Sequence, residues 1–387
     1  MKKNVLKLSS CLALSLSLST AIYADLEDRL EVLEKEMQEI SARNPQQTLG
    51  ASFYTARPEV KAGNWFVTFD LTYWHTKMGG TEYAYSFNGF NNTQGMPAFP
   101  IDGDVKEHDF GWDIGVKAGL GYKTPHDKWD LYARYTYYET DDTSSSFKAA
   151  PSGLISLTFI LPVTASKAKS TIEVSYNNVE LELARSYFVS SKLSFRPHFD
   201  VKSAWIDIDQ DVVYTASGIN TFFDGLGGLD YKTKGRINFW GLGPRTGIDS
   251  KWYLGYGFHV FADFAASILY GKFSSLQRDF IPPSLNPDQF PNGRAFKVRS
   301  QFHRFVPFGQ MFLGLGYQQY INNSKQHLGI KAGYEVQYYW RVNQIHQPED
   351  LIIGNVSTVD QGGRIQFEKQ TEDLMFYGIT GEIRLDF

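Results

Sequence analysis

Residues Asp373–Phe387 read DLMFYGITGEIRLDF. Met375, Tyr377, Ile379, Ile383, Leu385 and Phe387 share one parity with Gly381, while Phe376, Gly378, Thr380, Glu382, Arg384 and Asp386 share the other. Period two is the repeat of a β-strand with one apolar and one mostly polar face. The stretch ends on an aromatic residue while the alternation is still running. The last strand of a soluble sandwich is one reading. The other is the closing strand of a barrel in a bilayer, where closure leaves no edge unpaired.

The preceding sequence decides between them. Trp65, Val67, Phe69, Leu71 and Tyr73 alternate with polar residues, as do Ile114–Tyr122 and Trp129–Tyr137. The pattern recurs in Val179–Tyr187, Leu193–Trp205, Arg236–Asp249, Phe258–Tyr270, Phe305–Tyr317 and Leu328–Trp340. With the terminal stretch, these make ten strands. Long and short connections alternate between them. The long ones lie near Phe87–Gly95, Glu139–Ser170, Gln210–Gly235, Lys272–Gln301 and Asn343–Thr371; Leu154–Val163 within the second suggests an added hairpin. A sandwich has no reason for this regularity, whereas a transmembrane barrel has short periplasmic turns and long external loops. Aromatics gather near strand ends on the apolar parity. Trp65, Tyr73, Trp129, Trp205, Trp340 and Phe387 are expected to form interfacial girdles. The expected fold is all-β: an antiparallel up-and-down transmembrane barrel of 10–14 strands over residues 64–387, with a short periplasmic helix before it.

Composition agrees. Aromatics make up 16% of the 387 residues, charged residues 21%, and the net charge is −4. Beyond the amino terminus there is no unbroken apolar run long enough for a spanning helix, but a spanning strand needs only about 9–11 residues. The weak, mixed charge gives no basis for nucleic-acid binding. Residues 1–24 read as a secretory signal peptide: Lys2, Lys3 and Lys7 precede an apolar Leu8–Leu18 run, with a cleavage site after Ala24. Cleavage there removes Cys11, the sole cysteine. In residues 25–44, Leu26, Leu30, Leu33, Met37 and Ile40 form a heptad seam. The seam suits either a periplasmic stalk that joins copies of the chain or a helix lying on its own barrel. Residues 45–63 read as a linker.

The polar parity supplies the candidate site. Asp70, Lys117, Arg134, Glu180, Glu182, Arg196, His198, Asp200, Lys202, Arg245, Asp263, Lys331, Glu335 and Arg384 are expected to line the lumen, with Asp113 and Glu382 beside them. A basic side chain facing mid-bilayer lipid costs about 2–4 kcal/mol, which favours this assignment. Opposed charges across a narrow pore select solutes by size and charge. The same charges, if fully paired, would instead plug the barrel. No serine sits in a nucleophile elbow, and His198 and His259 read as lumen hydrogen-bonding groups. Gly241–Gly247 lacks the strand–loop–helix setting of a phosphate site. No acidic or histidine cluster has metal-ligand spacing. The expectation is a non-enzyme without metal or cofactor.

An ordered set of segments carries a resemblance. WFVTFDLTYW at 65–74, GWDIGVKAGLGY at 111–122, HDKWDLYARY at 126–135, NFWGLGPRTG at 238–247, SILYG at 267–271, GYEVQYYW at 333–340 and the terminal strand follow one another. Together they resemble the Legionella-type major outer membrane protein family of pore-forming proteins, which also has chlamydia-like members. The resemblance implies an outer-membrane barrel with a pore, whose carboxy-terminal strand, ending in Phe387, is recognised by the insertion machinery. The expected function is a porin passing small hydrophilic solutes or ions. The alternative is a structural or adhesive surface barrel whose external loops meet a host or neighbouring cell.

Overall fold

In the computed structural model, the residues described are 55–56, 59–89, 102–125, 128–158, 164–217, 228–282, 293–352 and 364–387. The segments read as signal peptide and heptad helix lie outside them. Ten strands form the barrel: β1 Trp65–Met78, β2 Trp112–Lys123, β3 Trp129–Phe147, β4 Thr164–Arg185, β5 Leu193–Ala216, β6 Asp230–Gly255, β7 Phe258–Phe280, β8 Arg294–Ile321, β9 Gln326–Ile352 and β10 Arg364–Asp386. Each pairs antiparallel with its sequence neighbours, and β10 returns to β1, so the sheet closes. The closing register sets Asp386 beside Phe66 and Leu374 beside Met78. At its lower end Phe387 donates its N–H to Trp65 O at 2.9 Å, and Trp65 N–H donates to Phe387 O at 3.2 Å. The terminal aromatic residue is therefore the last rung of closure.

The side-chain period makes one wall face apolar and the other polar. Phe69, Leu71, Ile114, Leu181, Phe199, Leu242, Ile268, Leu315 and Ile379 all face outward and are exposed. In water this surface would drive aggregation; as a continuous band on a closed sheet it is the surface a bilayer solvates. Trp65, Tyr73, Trp129, Trp205, Trp340 and Phe387 also point outward, each more than one third exposed.

The strands are longer than the alternation suggested. Much of the sequence read as long loops, including Glu139–Phe147, Gln210–Ala216, Lys272–Phe280 and Asn343–Ile352, continues as strand. β6 has 26 residues, and at about 3.3 Å per residue and a tilt near 40° it rises about 65 Å, against an apolar band of about 25 Å. Above the band both faces can be polar, so the hydrophobic alternation fades while the backbone ladder continues. Parts of the true connections fold inward. Ala84–Phe87 pairs with Val105–Lys106 and with Gly153–Ser156, which in turn joins β4. Tyr83, Leu154, Tyr214 and Tyr231 form a buried cluster inside this upper wall. The added hairpin expected in Leu154–Val163 is therefore an inner strand at Gly153–Ser156, with residues 159–163 outside the described residues.

Gly63 sits where the chain enters the barrel. Its φ is +58°, and a Cβ there would lie 1.9 Å from the backbone carbonyl carbon of Phe387. A Gly63→Val chain must adopt left-handed backbone at a cost of about 1–3 kcal/mol and also displace the terminal rung. The expected outcome is a clear loss of folded barrel, read as the heat-modifiable band of unheated samples on denaturing gels.

Candidate functional site: the barrel lumen

The lumen is layered. Its lower half is charged, because the inward positions of β1–β10 there carry acids and bases. Lys117 Nζ donates to both carboxylate oxygens of Glu335 at 2.6 Å. Gln310, Gln337 and Thr380 also donate to Glu335, at 2.9, 2.9 and 2.7 Å. Glu180 accepts from Arg134 Nη2 at 2.5 Å, Lys202 Nζ at 2.8 Å and Asn178 Nδ2 at 3.1 Å, with Arg245 Nη1 at 3.8 Å. Arg245 also pairs with Asp200, and Arg196 with Asp130, Glu182 and Asp249. Lys331 lies 3.3 Å from Asp263 and 3.8 Å from Glu382, and Arg384 Nη2 donates to Asp386 at 2.9 Å. The structure thus places all fourteen candidates on the inner wall. Asp70, Lys117, Glu180, Glu182, His198, Asp200, Lys202, Arg245 and Glu335 are buried, and Arg134, Arg196, Asp263, Lys331 and Arg384 are half-buried.

The pairing is incomplete. Asp70 Oδ1, Asp263 Oδ1, Thr72 Oγ1 and both ring nitrogens of His259 are buried without a protein hydrogen bond. Buried polar atoms are normally satisfied by protein or water. His198 Nδ1 faces Asp200 at 2.8 Å and Glu182 at 3.7 Å, and its Nε2 faces Asp249 at 3.7 Å. Glu182, His198 and Asp200 bring ligand-type atoms within 4.8 Å of one another, but both carboxylates are already held by guanidinium groups. That donor set fits an ion-pair network better than a metal.

The upper half of the lumen is aromatic. Trp74, Tyr138, Tyr176, Phe308, Tyr339 and Phe376 are fully or almost fully buried on the inner wall. Phe376 lies 5.0 Å from Tyr176, 5.2 Å from Tyr138 and 6.0 Å from Trp74, ring centre to ring centre, and Phe308 lies 4.5 Å from Tyr339. Ala204, Ile206, Phe239 and Leu269 complete the layer from β5–β7. Polar ends tie the layers together: Tyr176 OH donates to Gln337 at 2.9 Å, and Trp74 Nε1 to Thr380 at 3.0 Å. The ammonium of Lys117 sits 4.9 Å from the Trp74 ring centre and that of Lys202 sits 4.0 Å from Phe308. This layer adds bulky aromatic residues to an interior expected to be mostly polar and mixed in charge. Its signal was present, since Trp74, Tyr138, Tyr176, Tyr339 and Phe376 keep the parity of the lumen charges. A bulky aromatic on that parity looks no different from a strand-end girdle residue until the neighbouring strands are in register.

The mouth on the side of the short turns holds the other feature missed in the sequence. Thr55–Ala56 pairs with Tyr187–Phe188, and residues 59–63 then cross the mouth. Val60 and Ala62 are buried, and Lys61 N–H donates to Tyr320 OH at 3.2 Å. Glu59 accepts from Ser194 Oγ at 2.8 Å and pairs with Lys251. The residues around this segment line a cleft of about 260 Å³, and Arg196, Lys331, Glu382 and Arg384 form a wall it shares with a void of about 70 Å³ among the lumen charges. Burial alone would raise the Glu59 carboxyl, but the Lys251 ammonium and the bonds from Lys251 and Ser194 outweigh it and hold it at about 2. The folded value lies below the ordinary 4.5, so the anchor is fully present above that pH and is lost as pH falls from about 4.5 through about 2. Glu59→Gln should lower hydrogen-exchange protection of residues 59–63 at neutral pH by about 10- to 100-fold, the worth of one charged hydrogen bond. Wild type should lose the same protection only in that acidic window. Protection that is indifferent to both changes would show that Glu59 is not the anchor.

A closed antiparallel barrel with a lipid-facing apolar band, outward-facing aromatic residues and a charged interior defines an outer-membrane β-barrel protein. The chain belongs to the family described as Legionella pneumophila major outer membrane protein precursor, whose model matches residues 57–387. Among solved structures, it is similar to the outer membrane protease OmpT from Escherichia coli, at 11% identity and a TM-score of 0.44, over 86% of this chain and 98% of that one. It is also similar to a Pseudomonas aeruginosa FadL homologue, at 12% identity and a TM-score of 0.26, over 84% and 90%. The Pseudomonas putida toluene transporter TodX gives 11%, 0.27, 86% and 91%. No curated protein matches the chain.

Proposed function

We propose that this protein is a small-bore outer-membrane pore for ions or small hydrophilic solutes, closed in the conformation described. The observation that carries the reading is the charged lower lumen, which shares wall residues with the cleft at the mouth and leaves one carboxylate oxygen each of Asp70 and Asp263 without a protein hydrogen bond. Burying ion pairs is expensive, and apolar residues of similar volume would fill a purely structural barrel at equal or lower cost. Hydrated opposing charges are instead what a selective pore requires. The aromatic layer is the closed gate, and Glu59–Gly63 narrows the entrance. Fourteen lumen candidates are assigned the pore lining on this reading, Phe387 closes the barrel for insertion, and outer-membrane lipid is the solvent of the band.

Planar-bilayer recording of the refolded barrel tests it. Wild type should give small or brief unitary steps. Complete absence of steps, at any voltage and in a variant cleared of its gate, would sink the proposal. A second reading, a surface barrel that binds a neighbouring cell, is favoured by the height of wall above the apolar band. Soluble fragments of that wall's connections competing for cell attachment would support it.

A further inference from the structure

The outward wall above the apolar band is not uniformly charged. β3–β5 carry Glu139, Asp141, Glu173, Asp207, Asp209 and Asp211 on it, and β6 answers with Lys234 paired to Asp211 and Arg236 paired to Asp209. The next two strands have bases without acids. In register, Arg278 of β7 faces Lys297 of β8, Leu276 faces Arg299, and Lys272 faces His303. On its other side Arg278 faces Lys234. Lys272, Lys297 and Arg299 are exposed, and Arg278 Nε makes no hydrogen bond. Among the described residues, no carboxylate pairs with these four. Like charges directly opposed on a sheet destabilise it. Lys297 is accordingly pulled below the ordinary lysine range, by Arg299 first and by Arg278 and Arg294 after it. The repulsion calls for an anion from outside the chain.

The position of this ladder says which anion. Tyr270 stacks on His303 at 5.7 Å and packs on Phe305 at 5.1 Å, marking the upper edge of the apolar band on these strands. Lys272 is one outward step above Tyr270, and Arg278 four. At about 5 Å of height per step, the bases stand roughly 5–20 Å above the girdle. That is the depth of the phosphates on the glycolipid that forms the outer leaflet of an outer membrane. Below the girdle, on the same strands, the wall is indented. Thr246, Ala266, Gly309, Met311, Tyr338 and Trp340 line an open groove of about 460 Å³, with small side chains at its floor and Trp340 over Gly309. A groove in the acyl region beneath a basic ladder in the headgroup region matches one amphiphile and no free anion.

We propose that β6–β9 form a binding site for the phosphorylated glycolipid of the outer leaflet, with Lys272, Arg278, Lys297 and Arg299 on its phosphates and the Gly309–Trp340 groove on an acyl chain. Guanidinium groups bind phosphate through two parallel N–H donors, and lysine adds a flexible point charge. The site is independent of whether the lumen conducts.

The test is native mass spectrometry of the barrel extracted from outer membranes in mild detergent, with re-addition of purified glycolipid. Wild type should retain glycolipid through delipidating washes. The combined Lys272→Gln, Arg278→Gln, Lys297→Gln, Arg299→Gln variant should lose at least about tenfold of it, since it removes all four charges that the headgroup phosphates would meet. Its heat-modifiable mobility should be unchanged, because the residues lie outside the closing ladder. Ala266→Trp, which fills the groove, should also reduce retention with the bases intact. Re-added glycolipid stripped of its phosphates should fail to bind wild type, and millimolar inorganic phosphate should fail to displace the intact lipid. Equal retention by a folded quadruple variant would overturn the proposal. So would equal occupancy by zwitterionic phospholipid, or loss of a dimer with unchanged lipid in Ala266→Trp, which would assign the groove to a second copy of the chain.

Discussion

Replacing both Trp74 and Phe376 with alanine should raise the unitary conductance of the reconstituted barrel several-fold. The two rings lie 6.0 Å apart near the junction of the lumen layers, and both are fully buried. Below them the Lys117–Glu335 pair borders the charged half; above them the lumen is apolar. Each ring fills roughly 150–250 Å² of contact surface, so removing both leaves a gap that Tyr138 and Tyr176 cannot close without leaving their hydrogen bonds. The substitution also costs about 3–5 kcal/mol per ring in packing. The variant must therefore be tested as folded protein, selected by its heat-modifiable mobility. The charge layer remains in place, so the enlarged pore should still discriminate between cations and anions. A folded double variant with wild-type conductance would place the closure elsewhere and remove the gate from these residues.

The second large effect is Glu180→Gln. One carboxylate here faces Arg134, Lys202 and Arg245, and is itself almost fully buried. Amide replacement keeps the volume and leaves three cations without their shared counter-charge. Removing one partner of a buried pair costs about 3–5 kcal/mol, and here three partners are exposed to mutual repulsion. Urea unfolding from lipid vesicles should show a loss of that order. Arg236→Gln breaks the exposed pair with Asp209 and should change stability by no more than about 1 kcal/mol. In bilayers the reversal potential of the Glu180→Gln barrel should move toward anions, because the charged layer has lost a negative charge. A stability loss without that shift would make the network structural only.

Much of the fold is legible in the chain because a bilayer enforces it. A strand that faces lipid on one side and water or protein on the other must alternate, so Phe69, Leu71, Ile114 and Ile379 announce both the strand and its outward face. Closure follows from the same constraint, since an open edge in lipid leaves backbone groups unpaired. The ends of the strands are less legible. Above the band, Glu139–Phe147 and Lys272–Phe280 meet water on their outer side, and the apolar signal that marks a strand disappears while the hydrogen-bonded ladder does not.

The lumen divides the same way. Parity alone put Asp70, Lys117, Glu180, Asp200 and Arg384 on the inner wall, because a charge at mid-bilayer has nowhere else to go. Which acid meets which base depends on register and on strands far apart in the chain. Lys117 and Glu335 are 218 positions apart and meet across the barrel. The same holds for the aromatic layer, whose six large rings come from six strands, and for Glu59, whose partner Lys251 lies 192 positions away. Alternation is a local property, imposed residue by residue by the solvent on each face, and the sequence by itself determined it, including the Phe387 strand that closes the sheet. Which opposed charges meet is a property of distances across the lumen, and only the closed tertiary structure decided that.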